Sequence, residues 1–215
     1  MYQNILFDLD GTVTDSAPGI LHSIRYAMER MDREIPAGTD MNVFIGPPLK
    51  VSFARVCGFS EADADRAVSY YREYYSDAGL YECRVYPGIP ELLEKLDREG
   101  RFCALATAKP EAFSRRILDH FGLTGFFSLI AGASLDGSRP DKKAVLAYAL
   151  QRLPEPADGR TVMIGDRDQD ALGAKAFGLP CIGALYGYGS AEELTAAGAD
   201  VLVRDTGELE RLLMG

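Results

Sequence analysis

The sequence predicts an α/β protein, an open parallel sheet doubly wound with helices on both faces, interrupted by an all-helical insert after its first strand. Three observations predict it. From residue 85 onward, short apolar runs alternate with helix-period segments. The first apolar run, Ile5-Leu6-Phe7, stands far from that series, next to the N-terminus. Between the two, residues 14–84 carry only helical spacing.

Each element has a local reason. The first run has the length of a buried strand and stops at Asp8-Leu9-Asp10-Gly11, where glycine releases the chain. Ile20, Ile24, Ala27, Met28 and Met31 place a helix over 17–32, with Ser16 available as its N-cap. Gly46-Pro47-Pro48 breaks the chain and leads into a helix through Lys50 to Val56. Ser60-Glu61-Ala62-Asp63 resembles a capping box and opens a helix to about Asp77. After Tyr86-Pro87-Gly88 the spacing predicts helices over 88–99, 110–121, 142–152, 171–177 and 191–197, with a closing helix from Gly207. Strands are predicted at 102–106, 129–131, 161–164, 181–185 and 201–203. Gly122 and Gly178, each in a Phe-Gly-Leu triplet, read as helix stops in the left-handed conformation. The expected division is therefore a core of 1–13 with 85–215 and a helical cap of 14–84, joined by linkers near 13–16 and 82–86.

A chain of 215 residues, 47% hydrophobic and 26% charged, is ordinary for a globular protein. Its net charge of -9 argues against a nucleic-acid or anionic-membrane surface. Apolar runs are strand-length, so no transmembrane span is expected, and the N-terminus shows no signal peptide. Cys57, Cys83, Cys103 and Cys181 form no metal-ligand spacing. A reducing cytoplasm is the expected setting.

Ligands of such sheets bind beyond the carboxyl ends of the strands. Four of those ends or following loops carry polar chemistry: Asp8 and Asp10; Thr107 with Lys109; Lys142 and Lys143; and Gly165-Asp166-Arg167-Asp168-Gln169-Asp170. Two carboxylates one residue apart are hard to keep for packing alone. They suit phosphoryl transfer, which needs charge balance, held oxygens and an in-line oxygen nucleophile. Magnesium takes few carboxylates plus waters and phosphate, and Asp8 and Asp166 supply carboxylates for it. A lysine and a hydroxyl hold the remaining phosphate oxygens, while Asp10 protonates the leaving oxygen and then activates water. A calcium loop fails, for want of a third oxygen ligand before Gly11 and a distal glutamate.

Asp8-Leu9-Asp10-Gly11-Thr12, Thr107, a following lysine and Gly165-Asp166-x-x-x-Asp170 resemble the four ordered motifs of the haloacid dehalogenase superfamily, along the whole chain. The resemblance implies a Rossmann-like core with a small helical cap. It implies Asp8 as nucleophile and metal ligand, Asp10 as acid/base with its backbone carbonyl on magnesium, Thr107 as phosphate donor and Asp166 as metal ligand. Asp170 then positions the lysine or a metal-bound water. Phe44-Ile45-Gly46-Pro47-Pro48-Leu49, Ala106-Thr107-Ala108-Lys109-Pro110, Leu135-Asp136-Gly137-Ser138-Arg139 and Tyr186-Gly187-Tyr188-Gly189-Ser190 resemble the phosphoglycolate phosphatase-like and 5'-nucleotidase-like branch. Many relatives carry Lys-Pro in the third motif. Here Arg139-Pro140-Asp141-Lys142-Lys143 offers two lysines; Lys142 is preferred and Lys143 stays open.

The expected activity is magnesium-dependent hydrolysis of a small soluble phosphate monoester, a nucleoside 5'-monophosphate or phosphoglycolate, through an aspartyl-phosphate. Closure of the cap would exclude water and select the leaving group. Carbon-halogen cleavage needs neither Asp10 nor magnesium. A phosphomutase of the β-phosphoglucomutase type and a non-enzymatic phospho-acceptor are the alternatives. Other residues have ordinary expectations: Lys109 as a helix-start surface residue, with substrate contact as its alternative, Asp168 solvated, Tyr70, Tyr71, Tyr74 and Tyr75 packed in the cap, with substrate stacking as their alternative, and His22 and His120 partnerless on helices. Residues 46–50 read equally as a helix start or as facing the site. The loop 186–190 reads equally as a turn or the rim of a cleft.

Overall fold

In the computed structural model, which describes residues 1–154 and 159–215, the chain divides into two compact units. One comprises Met1–Asp15 and Val85–Gly215, the other Ser16–Arg84.

The first unit is built on a six-stranded parallel sheet. In chain order its strands are β1 (Asn4–Phe7), β4 (Phe102–Pro110), β5 (Leu129–Ala133), β6 (Thr161–Gly165), β7 (Cys181–Ala184) and β8 (Val201–Val203). Across the sheet they lie in the order β5-β4-β1-β6-β7-β8. The short strands β2 (Thr14–Asp15) and β3 (Arg84–Val85) pair separately. β1 is central, with Ile5 opposite Cys103 on one side and Val162 on the other. A strand covered on both faces must be apolar throughout, and Ile5, Leu6 and Phe7 are fully buried.

Leu6, Ala104, Ala106, Ala131, Met163 and Cys181 form one face of the sheet's core. They pack on Val145, Leu146 and Ala149 of α6 (Lys142–Leu150) and on Ala171 and Ala174 of α7 (Asp168–Ala176). Alternation turns Ile5 and Phe7 to the other face. There α4 (Ile89–Arg98) buries Leu92, Leu93 and Leu96, and Lys95 pairs with Glu210 of α9 (Thr206–Met214) at 2.5 Å. α5 (Glu111–His120) packs on β4 and β5, and α8 (Ala191–Ala197) packs beside α7. Gly122 and Gly178 have φ of 68° and 65°, the left-handed stops expected of them.

The second unit consists of α1 (Ala17–Arg30), α2 (Leu49–Cys57) and α3 (Glu61–Tyr75), with single 3-10 turns at Met41–Phe44 and Gly79–Tyr81. Ser60 caps α3 by accepting the Asp63 N–H at 3.2 Å. Ser16 sits at the N-cap of α1 but makes no side-chain cap bond, so the anticipated cap there is not formed. Tyr71 and Tyr75 are buried and stacked at 5.1 Å, and Tyr74 lies 5.5 Å from Tyr26. His22 is not partnerless: its Nδ1 lies 2.7 Å from Glu82, which also accepts the Tyr74 hydroxyl at 2.7 Å. His120 stacks edge-on against Phe121.

Two boundaries differ from the sequence reading in ways that matter below. β4 does not stop at residue 106 but runs through Pro110, with a register shift against β5 between Thr107 and Pro110. α7 starts at Asp168, which places Asp170 in its first turn. Among the described residues, no helix is long and apolar enough to cross a membrane.

Candidate active site

The turn after β1 is dictated by its surroundings. The Asp8 N–H donates to the Ile164 carbonyl at 2.9 Å, so β6 holds the backbone of Asp8 as it leaves the sheet. The Leu9 carbonyl then accepts the N–H groups of Val13 and Thr14, each at 2.9 Å, which folds the chain back. Gly11 has φ 84°, and a Cβ there would overlap the Asp166 carboxylate. Both conditions demand glycine.

Asp8, Asp166 and Asp170 are all buried, and each offers a carboxylate oxygen within 4.8 Å of the others. Lys142, itself 4% exposed, enters this cluster from the first turn of α6. A lysine at a helix N-terminus opposes the helix dipole, so its place is explained by what it faces. Its Nζ donates to the Ala106 carbonyl at 2.8 Å and lies 2.8 Å from Asp8 Oδ1 and 2.7 Å from Asp170 Oδ1. Those two oxygens have no aligned hydrogen bond, so the contacts act as ion pairs rather than directed bonds. Asp141 caps α6 through the Ala144 N–H at 2.8 Å, fixing where Lys142 begins. Asp170 accepts the Arg167 N–H at 3.0 Å, and Gly165 leaves the room its carboxyl occupies. Lys143 is exposed.

One lysine meets two of the three clustered carboxylates, Asp8 and Asp170. Burial disfavours the Lys142 ammonium, but Asp170 and Asp8 outweigh it and hold it above the usual lysine range. Burial raises Asp170 to about 6 despite Lys142, with Asp8 adding to the rise. Asp166 lies well above the carboxylate range, through burial first and then the charges of Asp170 and Asp8. The Tyr188 N–H, which donates to Asp166 Oδ2 at 2.8 Å, does not offset this. The cluster is therefore short of positive charge, and its donors are hard oxygens; it fits a small divalent cation.

Thr107 and Lys109 lie on the extended end of β4. Thr107 is buried, and its Oγ1 accepts the Lys109 N–H at 3.2 Å. The surface assignment of Lys109 is overturned, since the side chain is 5% exposed and its Nζ lies 2.7 Å from Asp10 Oδ2. The carboxylate of Asp10 thus stands apart from the three-carboxylate cluster, with a lysine of its own. Asp168 is partly buried in the first turn of α7, and its N–H donates to Glu193 at 3.0 Å.

The loop 186–190 is more than a turn or a rim. Besides the Tyr188 N–H on Asp166, the Tyr188 hydroxyl donates to Asp15 Oδ1 at 2.9 Å and the Tyr186 hydroxyl to the Thr12 carbonyl at 3.1 Å. Burial is the main cause that pushes both phenols above their ordinary range. A Cβ on Gly187 would overlap Asp166 Cβ and the Gly11 carbonyl, and one on Gly189 would overlap the Asp166 carbonyl. The alternation Tyr-Gly-Tyr-Gly directly after a strand was the available signal for such close backbone packing. Gly187→Ala is expected to displace Asp166 and to cost about 1–3 kcal/mol of stability, the usual penalty of overpacking. Chemical denaturation measures it, and an unchanged midpoint would show that the loop yields freely.

Comparison with known proteins follows the same residues. A profile of the haloacid dehalogenase-like hydrolase family matches residues 5–184. A "5'-nucleotidase" of Pseudomonas aeruginosa is 46% identical over 195 residues, covering 91% of this chain and 88% of its own. "Tyrosine-protein kinase PtkA" of Mycobacterium tuberculosis is 43% identical over 190 residues, covering 88% of this chain and 64% of its own. Among solved structures, a "predicted phosphatase" from Clostridium acetobutylicum is 43% identical with a TM-score of 0.93, covering 100% of this chain and 99% of its own.

Proposed function

The chain belongs to the haloacid dehalogenase-like hydrolase family and is a phosphatase, and on that premise we propose that it hydrolyses a small phosphate monoester with magnesium, through an aspartyl-phosphate on Asp8. The observation that carries this reading is the arrangement at the ends of β1 and β6: buried Asp8 against Lys142, in a cluster with Asp166 and Asp170 that is short of positive charge.

An Asp8 carboxylate oxygen attacks phosphorus, and the bond to the leaving oxygen breaks as Asp10 gives that oxygen its proton. Asp10, now a carboxylate, takes a proton from water as the water oxygen attacks phosphorus. The bond to Asp8 then breaks, inorganic phosphate departs, and both aspartates return to their starting states. Thr107 and Lys142 hold phosphate oxygens, as a neutral and a charged donor. Asp8, Asp166 and the backbone carbonyl of Asp10 would hold magnesium, with Asp170 keeping Lys142 in place. When bound, magnesium neutralises phosphoryl charge and orients the group for in-line attack. Residues 14–84 act as the cap that selects the leaving group.

The nucleoside 5'-monophosphate class is the first candidate substrate, because the "5'-nucleotidase" relative is similar along nearly the whole chain. Phosphoglycolate, from the branch resemblance, is the second. Four free cysteines, two of them buried, suit a reducing cytoplasm. A panel of phosphate esters assayed for free phosphate tests the proposal. Release with magnesium, its loss with a chelator, and a magnesium-dependent rise in Tm are expected. Turnover indifferent to the chelator would overturn the magnesium assignment. Phosphate appearing on a second sugar hydroxyl instead of in solution would indicate a mutase.

A further inference from the structure

Lys142 has a part in the chemistry above, but Lys109 has none. The chain nevertheless goes to some length to bury it. The register shift of β4 turns the segment between Thr107 and Pro110 out of the regular ladder. The Lys109 N–H is tied to Thr107 Oγ1. β5 lies so close that a Cβ on Gly132 would overlap the Lys109 carbonyl and the backbone of Glu111, which leaves this segment little slack. The ammonium so placed lies 2.7 Å from Asp10 Oδ2, with the two side chains 5% and 14% exposed. A buried lysine is costly unless its charge is met, and the Asp10 carboxylate meets it. Once Asp10 carries the proton it donates, its other oxygen still accepts from the ammonium, so the contact holds the group in both states. Asp8 and Asp10 of the first motif thus face different lysines, Lys142 from the first turn of α6 and Lys109 from the extended end of β4.

We infer that Lys109 is a positioning residue for Asp10, fixing the rotamer in which that carboxyl group meets the leaving oxygen and then the attacking water. The inference rests on the phosphatase reading. Proton transfer matters most when the leaving oxygen is strongly basic, as in an alkyl phosphate, and least for a stable phenolate such as 4-nitrophenolate. A residue that orients the proton donor must therefore act unevenly across leaving groups. One that grips the phosphoryl group acts evenly, since every ester carries the same phosphate.

The experiment is kcat/KM for a series of phosphate esters, from 4-nitrophenyl phosphate to alkyl phosphates, in the wild type and in Lys109→Met, Lys109→Arg and Asp10→Asn. Because kcat/KM reports only steps up to leaving-group departure, hydrolysis of the phosphoenzyme does not blur the comparison. For Lys109→Met, a loss of about 30- to 100-fold is expected on alkyl esters and under about 5-fold on the nitrophenyl ester, short of the full loss of general acid–base catalysis, roughly 10²–10⁴-fold, because Asp10 itself remains. Lys109→Arg keeps the buried charge and should recover alkyl-ester hydrolysis to within about 5-fold of the wild type. In an Asp10→Asn background, Lys109→Met should add little, since a positioning residue has nothing left to position. An even loss for Lys109→Met beside an uneven loss for Asp10→Asn would overturn this inference alone. An even loss for Asp10→Asn would overturn the assignment of Asp10 and this inference with it. Should the Met variant not fold, Lys109→Gln takes its place, with the same uneven loss expected and the same even loss decisive against it.

Discussion

Asp8→Asn is expected to abolish turnover, lowering kcat by a factor on the order of 10⁴ or more while leaving the fold intact. The amide matches the carboxylate in shape but cannot form the acyl phosphate on which both halves of the proposed reaction depend. Stability should move the other way. Asp8 is one of three clustered buried carboxylates and shares Lys142 with Asp170, and its charge raises both Asp166 and Asp170. Removing that charge relieves the repulsion and leaves Lys142 paired to Asp170 at 2.7 Å. The metal-free variant should therefore melt at or above the wild-type Tm. Steady-state kinetics on the best ester, with thermal unfolding of the same preparation, measures both. Turnover within about tenfold of the wild type would sink the nucleophile assignment.

Lys142→Met should damage activity and stability together. The substitution nearly preserves the buried stem but removes the one ammonium placed 2.8 Å from Asp8 Oδ1 and 2.7 Å from Asp170 Oδ1. Stripping one partner from a buried ion pair costs about 3–5 kcal/mol. Losing a charged donor to the phosphoryl group should lower kcat by roughly 10²–10³. The pH dependence has a definite sign. Lys142 is raised in the folded state, so its stabilisation is complete below the ordinary lysine value of 10.5 and is lost only as the pH rises through its higher folded value. Asp170 is a carboxyl raised from 3.8 to about 6, so as the pH falls through that window the folded state takes up its proton first and gains stability. Without Lys142 this gain should begin at higher pH and be larger. The stability gap between wild type and variant should then narrow from pH 7 to pH 5. An equal gap at both values would mean that lost packing, not uncompensated carboxylates, is the cause.

Much of the core was legible because its signals are local. Ile5-Leu6-Phe7 ends at paired aspartates, apolar runs alternate with helical spacing, and two glycines stop helices where left-handed residues are needed. Lys142 could be preferred to Lys143 only through the branch resemblance; its physical distinction, entry into a buried acidic cluster, depends on a strand end and a helix turn remote in sequence. Lys109 was misread for an instructive reason. Lys-Pro before a helical run looks like a surface helix start, and periodicity says nothing of a register shift that extends β4 and buries the side chain. The loop 186–190 was underread because its importance lies in what its glycines omit: side chains that would strike Asp166 and Gly11.

The central position of β1 has a consequence for how the molecule comes into being. Its residues are made well before those of its neighbours β4 and β6, which pair Asn4 with Phe102 and with Thr161. Contacts of such long sequence separation form slowly, because the loop-closure cost falls due before any pairing is gained. Through much of synthesis, the segment bearing Asp8 and Asp10 has neither flanking strand nor cationic partner. Asp166 gains its backbone donor only when Tyr188 arrives. Asp8, the proposed nucleophile, is thus made well before the residues that equip it, so a nascent or truncated chain ending before the Tyr-Gly-Tyr-Gly loop carries that carboxylate without its full surroundings.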